Sequence, residues 1–516
     1  MSLPELIAPL PEAQGSQVGG GQSIGIRLIK ASSLIAFGSI SSRLIALLIT
    51  VVSTRLLSEA EFGAYGVLQS TLNLFGITAG LSLGLGATRY IALYRVREKE
   101  RARGIALVVL LIGTASSALT ALMMFTLSPW LAVRSLHNPS LVAPLKWAAV
   151  QLFVFSVFGL ASSILSGAER FGVTSIANII QNVLILIGSV ALIPVFRLSG
   201  AIWAQVLGIA FSLILCLWCI RDIFRGINTQ SVHAHLRREW KPLLNFCLPS
   251  VLASFFVMPA SWLSVMLIAR GPDGFIELAY YTAADRFRLI LVFVAGFVGT
   301  ALLPILAGTI GSEEKKSEDS ARALDLGLIG TALLVLPLSA ALAFGGPEVM
   351  SLFGRSYQAN WAILLPIIAW AGAGAIGSTI GTALLAHGKQ WFSFLQQATY
   401  GVSVLLLTFL LRKSGGAGLA LAHLLAVLLL VAWSVPVLQR FNAITPRGTR
   451  ILFISTVMVC LLCLLAWACP TGWRLFLVGP VTLITTLFTY LFFPTGTERA
   501  RLRSLVAAGA GKTGKF

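Results

Sequence analysis

The sequence predicts an all-α protein that crosses a membrane many times. Of its 516 residues, 57% are hydrophobic and only 11% are charged, whereas soluble domains average about 25% charged residues. The mean hydropathy of +0.88 agrees with this low charge, and apolar runs long enough to span a bilayer recur along the chain. This composition excludes an ordinary soluble enzyme, a disordered protein and a disulfide-rich secreted module.

Apolar segments of the length that crosses the hydrocarbon core, about 20 residues as a helix, predict about fourteen transmembrane helices. They lie at about 31–53, 65–93, 104–130, 145–168, 174–196, 200–220, 243–269, 277–309, 325–346, 360–386, 393–411, 416–438, 451–470 and 474–494. The stretches between them are too short to form a soluble domain.

A repeated pattern divides these segments into two halves. Tyr65 recurs as Tyr280 at a spacing of 215 residues, and Gly200 recurs as Gly418 at a spacing of 218. We therefore predict two parallel six-helix lobes and an additional C-terminal helix pair. The predicted division is a flexible cytoplasmic tail at 1–30, an N-terminal lobe at 31–224, a basic cytoplasmic linker at 225–242, a C-terminal lobe at 243–440, the helix pair at 451–494 and a basic cytoplasmic tail at 495–516.

Membrane topology explains the net charge of +19 better than nucleic-acid binding does. Lys and Arg are retained in cytoplasmic loops, and most of these residues fall in alternate loops, for example at 95–103 and 221–241. This bias places both termini in the cytoplasm. The first 26 residues lack the basic and apolar regions of a signal peptide.

No cofactor, metal or nucleotide is expected. Cys460 and Cys463 have a CxxC spacing but lie in an apolar run without partner ligands, and the five histidines are scattered. The Gly-Lys-Thr at 511–513 has Val506 where a nucleotide-binding loop requires glycine. Transport would then be driven by an ion gradient or by the gradient of the substrate itself.

Charged side chains inside the predicted spans are the first candidates for a functional site, because each costs at least ~2.5–3.5 kcal/mol to place in a bilayer. Arg43 lies near the middle of the first segment, with Ser39 and Ser42 on a similar face. A water-filled cavity would explain Arg43, and snorkelling to the interface is the alternative. Arg89 lies near the inner end of the second segment, where snorkelling also offers an explanation.

The eighth segment contains a second charged group, Asp285, Arg286 and Arg288. Asp285 and Arg288 share a helical face, so both a salt bridge and a role in substrate binding or ion coupling are open. Arg286 has no evident local partner. The excess of arginine predicts a cavity that attracts anions such as a pyrophosphate, which guanidinium groups bind in a fork, and disfavours cationic drugs.

Uncharged polar side chains at helical spacing form a further set of candidates. They are Gln69, Asn73, Gln151, Asn178 and Asn182. Amides can bind sugar hydroxyls, and they can equally form hydrogen bonds between helices.

Residues 53–66, Ser-Thr-Arg-Leu-Leu-Ser-Glu-Ala-Glu-Phe-Gly-Ala-Tyr-Gly, resemble the opening signature of the Wzx-type polysaccharide biosynthesis or O-antigen flippases. These belong to the multidrug/oligosaccharidyl-lipid/polysaccharide exporter superfamily. A second copy of the signature begins at Arg270, with Glu277 departing from the more usual glycine before tyrosine, and residues 351–357 also resemble the family. The resemblance extends over about 30–495.

The resemblance implies two lobes around a cavity that alternates between inward-facing and outward-facing states. It also implies a substrate of undecaprenyl-diphosphate-linked sugars in the bacterial inner membrane, and no covalent chemistry. In such flippases cationic residues of the first, second and eighth helices line the cavity, and the matching residues here are Arg43, Arg89, Arg286 and Arg288. The helix pair 451–494 would hold the polyprenyl tail, and a polysaccharide polymerase or other assembly proteins are candidate partners besides membrane lipids.

Four alternatives stay open. A drug or cation antiporter of the same superfamily would be expected to have a buried acid in the first two segments, which have none. A peptidoglycan-precursor flippase shares the chemistry but lacks the signature. A membrane glycosyltransferase or polymerase usually needs a large outer loop, and the longest one here, about 131–144, offers only Arg134 and His137. A scaffold without transport activity would leave the buried arginines unexplained.

Overall fold

The computed structural model describes residues 20–80, 82–96, 98–224, 232–309, 315–386, 390–440, 444–495 and 498–499. Across these ranges the chain forms helices joined by short turns, with no β-strand. A helix satisfies its own backbone hydrogen bonds, which is the condition for crossing lipid. The predicted all-α class is confirmed.

Seven helices precede residue 270. They are α1 (Gly20–Leu56), α2 (Glu59–Gly80), α3 (Leu83–Tyr94), α4 (Lys99–Trp130), α5 (Val142–Gly167), α6 (Phe171–Phe224) and α7 (Val232–Ala269). Between α4 and α5 lie a π-helical turn at Leu131–Ser135 and a 3₁₀ turn at Pro139–Leu141.

The remaining helices are numbered in the same way. They are α8 (Gly274–Thr309), α9 (Lys315–Phe344), α10 (Gly346–Ser351), α11 (Arg355–Ala359), α12 (Leu364–Ala386), α13 (Gln390–Leu411), α14 (Gly415–Arg440), α15 (Pro446–Ala468) and α16 (Thr471–Phe492). Short 3₁₀ turns at Trp361–Ile363 and Arg412–Ser414 precede α12 and α14.

Within the described residues, every apolar segment found in the sequence lies mostly in helix. Within the described ranges, nine helical runs are long and apolar enough to cross a membrane, or ten if α2 and α3, which are bent by 45°, form one span. Two of these runs, Phe171–Ile223 and Trp391–Arg440, each contain two of the predicted spans. The number fourteen therefore stays a prediction.

Helices extend further into the polar flanks than the sequence suggests. Residues 20–30 belong to α1 instead of the predicted tail, and residues 232–242 belong to α7 instead of the predicted linker. Extending a formed helix by one residue is far easier than starting one, because each added residue brings its own hydrogen bond. Residues 1–19, 225–231 and 500–516 of the predicted tails and linker lie outside the described residues.

The same tight helical hairpin occurs at two places 218 residues apart. Arg197, with φ 50° and ψ −129°, turns the chain within α6, and Gly415, with φ 56° and ψ −137°, turns it between α13 and α14. Three residues after each turn is a glycine. A Cβ on Gly200 would lie 2.3 Å, and one on Gly418 2.2 Å, from a carbonyl oxygen of the preceding helix. The spacing of these glycines in the sequence thus reflects a repeated close helix contact.

The chain separates into two compact units whose boundary lies between Ala279 and Tyr280, within α8. The first unit includes α7, which packs against α2, α3 and α4. The indole Nε1 of Trp262 donates to Thr71 Oγ1 at 3.0 Å in this contact. The predicted lobe limits, which divide the chain at 225–242, stay a prediction.

In the second unit, the C-terminal helices α15 and α16 pack against α9, and α15 also packs against α12. Asp325 of α9 accepts a hydrogen bond from Thr445 Oγ1 at 2.7 Å at the start of α15. Arg447 forms an ion pair with Glu498 at 2.7 Å. These contacts attach the predicted additional helix pair to the unit.

Replacing Gly200 with Ala is expected to destabilise the protein, because the added Cβ would meet backbone that cannot rotate away. Overpacking of this kind typically costs 1–3 kcal/mol, so we expect roughly that loss. Gly76→Ala in α2 is the matched control, since no atom lies within 4 Å of its Cβ position. Thermal unfolding of both variants in detergent checks this, and equal midpoints would contradict it.

The Arg447–Glu498 pair predicts a pH dependence of stability. Hydrogen bonds from Arg447 lower the pKa of Glu498 from 4.5 to about 2. A depressed carboxyl pKa stabilises the folded state above the unfolded pKa, and this contribution is lost as the pH falls from 4.5 towards 2. Glu498→Gln is therefore expected to lower the unfolding midpoint at pH 7 and to lose less stability than the wild type on acidification. A parallel shift of the two pH curves would disagree with this.

Candidate functional site

The second unit contains an ion pair in the middle of an apolar helix. Arg288 donates through both Nε and Nη2 to the carboxylate of Asp285 one turn earlier on α8, with Nη2 at 3.1 Å from Oδ2. The two side chains are 23% and 22% exposed. The salt bridge considered from the sequence is thus present, and a role of either residue in binding substrate stays a prediction.

An aromatic stack extends this pair across three further helices. The guanidinium of Arg288 lies 4.5 Å from the ring centre of Trp370 in α12. His423 of α14 stacks on Trp370 at 4.2 Å with an angle of 15° between the rings. The hydroxyl of Tyr400 in α13 is 2.8 Å from His423 Nδ1, and the ring of Tyr281 lies 6.4 Å from the imidazole. We call these residues, with Asp285, the α8 cluster.

Two members of the α8 cluster were missed from the sequence. His423 is only 4% exposed, although it counts among the scattered histidines of the sequence, and Trp370 was not singled out. Each lies more than 80 residues from Arg288, so no local spacing connects them.

Arg286 differs from its neighbour Arg288. It interacts electrostatically with Asp285, but none of its nitrogen atoms forms a hydrogen bond or ion pair with the described part of the chain. Its Nε is buried without an acceptor. A guanidinium in this condition binds an anion favourably, because that anion would supply the missing acceptors.

The other two arginines lie in the first unit. Arg43 is exposed on α1 between Ile40 and Leu44, which are also exposed. Arg89 is exposed on α3, with its guanidinium 5.8 Å from the ring of Tyr90. Their part in substrate binding stays a prediction.

Three glutamines form a polar network in the first unit. Gln205 of α6 accepts hydrogen bonds through Oε1 from the side-chain amides of Gln151 and Gln69, and it donates to the hydroxyl of Tyr65. Gln151 is 4% exposed, and its Oε1 has no hydrogen-bond partner among the residues that the structure describes. Gln205 and Tyr65 join α6 to α2 and were not identified as site residues from the sequence. We call these four residues the amide cluster.

The predicted asparagines have simpler surroundings. Asn73 is exposed on α2. Asn178 donates to the carbonyl of Thr174, and Asn182 donates to the carbonyl of Asn178, both at 2.8 Å within α6. The amide groups of Asn178 and Asn182 therefore donate to backbone carbonyls of their own helix. Contact of the predicted asparagines with sugars stays a prediction. Among the described residues, no group of three His, Cys, Asp or Glu could hold a metal ion.

Comparison with known proteins gives two kinds of relatives. A family model described as polysaccharide biosynthesis protein matches residues 28–309. The EPS I polysaccharide export inner membrane protein EpsE of Ralstonia nicotianae is 23% identical over 417 residues, which cover 79% of this chain and 93% of that protein. The putative O-antigen transporter of Shigella flexneri is 25% identical over 427 residues, which cover 78% and 95%.

Solved structures share the fold at lower identity. The lipid II flippase MurJ, in an inward closed conformation, superposes with a TM-score of 0.66 at 18% identity, over 92% of this chain and 99% of that one. An inward-facing multidrug resistance transporter of the MATE family gives a TM-score of 0.62 at 16% identity, over 78% and 95%. The helical transporter fold is thus shown.

The amide cluster predicts strong coupling between its members. Gln205→Leu is expected to destabilise the protein by about 1–3 kcal/mol, because the buried amide of Gln151 then lacks an acceptor. Gln151→Leu is expected to be destabilising for the same reason, and the double variant should lose clearly less than the two single losses combined. Thermal unfolding of the three variants measures this coupling. Additive losses would show that the hydrogen bond contributes nothing.

Proposed function

The chain belongs to the polysaccharide biosynthesis protein family, and from that premise we propose that it flips a lipid-linked oligosaccharide across the bacterial inner membrane. The substrate is an undecaprenyl-diphosphate-linked sugar, and the product of the pathway is a surface polysaccharide. The names of the curated relatives support export of polysaccharide at the inner membrane. The fold shared with a lipid II flippase supports movement of a lipid-linked substrate.

The positive charge of Arg286 is the observation on which the proposed substrate class depends. It lies in an apolar helix beside an ion pair that already neutralises Arg288, so its own positive charge is left over. A diphosphate carries the charge and the oxygen acceptors that this side chain lacks. A cationic drug would add a like charge, which disfavours the multidrug alternative in spite of the shared fold.

Other parts of the proposal rest on where further residues lie in the helices. Arg43 and Arg89 supply further positive charge in the first unit. Gln69, Asn73, Gln151, Asn178 and Asn182 are candidate contacts for sugar hydroxyls. Helices α15 and α16 expose large apolar side chains such as Phe476 and Leu483, which suit a polyprenyl tail. Both termini lie in the cytoplasm, no covalent step is involved, and a polysaccharide polymerase is a candidate partner.

Deletion of the gene is expected to stop surface polysaccharide production and to accumulate one polyprenyl-diphosphate-linked intermediate on the cytoplasmic side. In the complemented strain, Arg286→Met should lower surface polysaccharide at least about tenfold, because the diphosphate loses a charged hydrogen-bond donor. Arg286→Lys should retain part of the activity. Mass spectrometry of the lipid fraction, with immunoblots for expression, measures both effects.

Arg412→Met is the matched control, since it removes an exposed arginine from the turn between α13 and α14. It should leave polysaccharide production unchanged. Normal production by a well-expressed Arg286→Met protein would contradict the diphosphate assignment. Absence of any accumulated intermediate in the deletion strain would contradict the flippase assignment itself.

A further inference from the structure

A buried arginine without an acidic partner lies at the turn between α15 and α16. Arg474 belongs to the first turn of α16 and is only 6% exposed. Within the described residues, no carboxylate forms an ion pair with it. We propose that Arg474 and the N-terminus of α16 together bind the phosphate group of a membrane lipid. This inference does not depend on the proposed function, because it concerns one end of the C-terminal helix pair and not the charged residues of α8.

Three neutral groups surround the guanidinium of Arg474. Its Nε donates to the carbonyl of Cys469 at 2.8 Å, and its Nη2 donates to the carbonyl of Trp467 at 3.2 Å. The ring centre of Trp361, in the turn before α12, lies 4.2 Å from the guanidinium carbon. The carbonyls at the end of α15 offset part of the positive charge, because a helix C-terminus carries about half a negative charge. The rest of the charge has no counterpart in these contacts.

The third nitrogen of Arg474 is the one that calls for a ligand. Nη1 is buried and has no acceptor within the described residues, and a buried charged donor without a partner is costly. Nη1 and the second hydrogen of Nη2 form the free edge of the guanidinium, which can bind two oxygens of a phosphate in a fork. A phosphate would therefore supply both the missing acceptor and the missing negative charge. Because Nη1 is buried, entry of the phosphate requires a side-chain movement at the turn.

The N-terminus of α16 adds backbone donors beside this edge. The helix follows Pro470, whose side chain cannot accept a hydrogen bond, and its first turn contains no acid. The first N–H groups of a helix have no intrahelical acceptor, and the helix dipole favours an anion next to them. The two carbonyls that hold Arg474 directly precede this turn, so its guanidinium lies close to these N–H groups. No atom from another part of the chain lies within 4 Å of the Cβ position of Gly472, so the backbone there is open to a ligand.

Exposed tryptophans indicate that this turn lies at the membrane–water interface. Trp467 and Trp473, on either side of the turn, are 65% and 67% exposed, and tryptophan rings are enriched at the level of the lipid headgroups. The apolar span of α16 begins at Gly472, so the turn lies at the end of a span, on the predicted outer side. The phosphates of membrane lipids are found at this level. A lipid is therefore the ligand whose phosphate meets Arg474.

Two kinds of lipid carry the required group. A phospholipid such as phosphatidylglycerol presents a phosphate diester, and a polyprenyl carrier lipid presents a phosphate or diphosphate. In both cases the apolar chains would lie along the exposed face of α16, where Phe476 is 74% exposed. Arg474 and the helix N-terminus recognise the phosphate that both lipids share, so the two sources are separated by experiment.

The test measures lipid binding to the full-length protein by native mass spectrometry in detergent. Phosphatidylglycerol and undecaprenyl phosphate are titrated separately, and diacylglycerol is the probe without phosphate. Arg474→Met is expected to weaken binding of the phosphate lipid at least about tenfold, because a hydrogen bond to a charged group contributes this much to affinity. Binding of diacylglycerol should not change. Arg412→Met, which removes an exposed arginine from the turn between α13 and α14, should bind all three lipids as the wild type does.

A second variant tests the site without removing the contacts that Arg474 makes to α15. The open space at Gly472 admits the side chain of Gly472→Glu, and a negative charge near a helix N-terminus stabilises the helix. The same charge repels the phosphate, so binding of the phosphate lipid should fall at least about fivefold. Gly472→Gln is the matched control, because it has the same size without the charge, and it should bind nearly as the wild type does. If Arg474→Met does not fold, the comparison of these two variants decides.

The results also identify the lipid. A loss of binding confined to phosphatidylglycerol assigns the site to a phospholipid, and a loss confined to undecaprenyl phosphate assigns it to the carrier lipid. Equal binding of both phosphate lipids by the wild type, Arg474→Met and Gly472→Glu would overturn the proposal. An equal loss in Gly472→Glu and Gly472→Gln would also overturn it, since the effect would then come from the size of the side chain and not from its charge.

Discussion

The free energy of an unpaired charge in a bilayer is the constraint on which the rest of this structure depends. Backbone N–H and C=O groups are under the same constraint, because an unpaired polar group in lipid is also costly, and the helices of the described residues pair them. Side chains meet it by pairing, as Asp285 does with Arg288, whose guanidinium also lies 4.5 Å from the ring centre of Trp370. Arg286, two residues away, forms no hydrogen bond or ion pair within the described part of the chain, and this is why we propose an anionic ligand for it.

The two units hold polar side chains within their helix packing by different chemistry. In the first, Gln205 gathers two other glutamines and a tyrosine and buries no net charge. In the second, His423 lies 218 residues after Gln205, the spacing that also separates the two hairpin turns, and it belongs to a charged cluster. The backbone turn thus recurs, while the polar residues at the corresponding positions differ, with a neutral amide in the first unit and a member of a charged cluster in the second.

The helical class and the repeat could be predicted because both produce local patterns in the sequence. Hydropathy identifies helices, and Gly200 and Gly418 mark positions where a carbonyl of the neighbouring helix excludes a side chain. The α8 cluster could be predicted only in part. Asp285 and Arg288 are related by helical spacing. Trp370 reaches Arg288, and His423 reaches Trp370, only through packing of distant helices, which no local pattern encodes. Helical spacing was also insufficient for Asn178 and Asn182. It places both on one face of α6, but it does not reveal that their amides donate to carbonyl groups of their own helix.

The fold by itself does not select the substrate, because a lipid II flippase and a multidrug transporter superpose on this chain almost equally well. We propose that the selection comes from the sign of the charges that the helices place in the membrane. Within residues 285–288 of α8, two arginines against Asp285 leave one positive charge. A transporter of cations would gain from the reverse arrangement, in which a carboxylate is left without a partner. The charge that the helix packing leaves unsatisfied therefore carries more information about function than the packing itself.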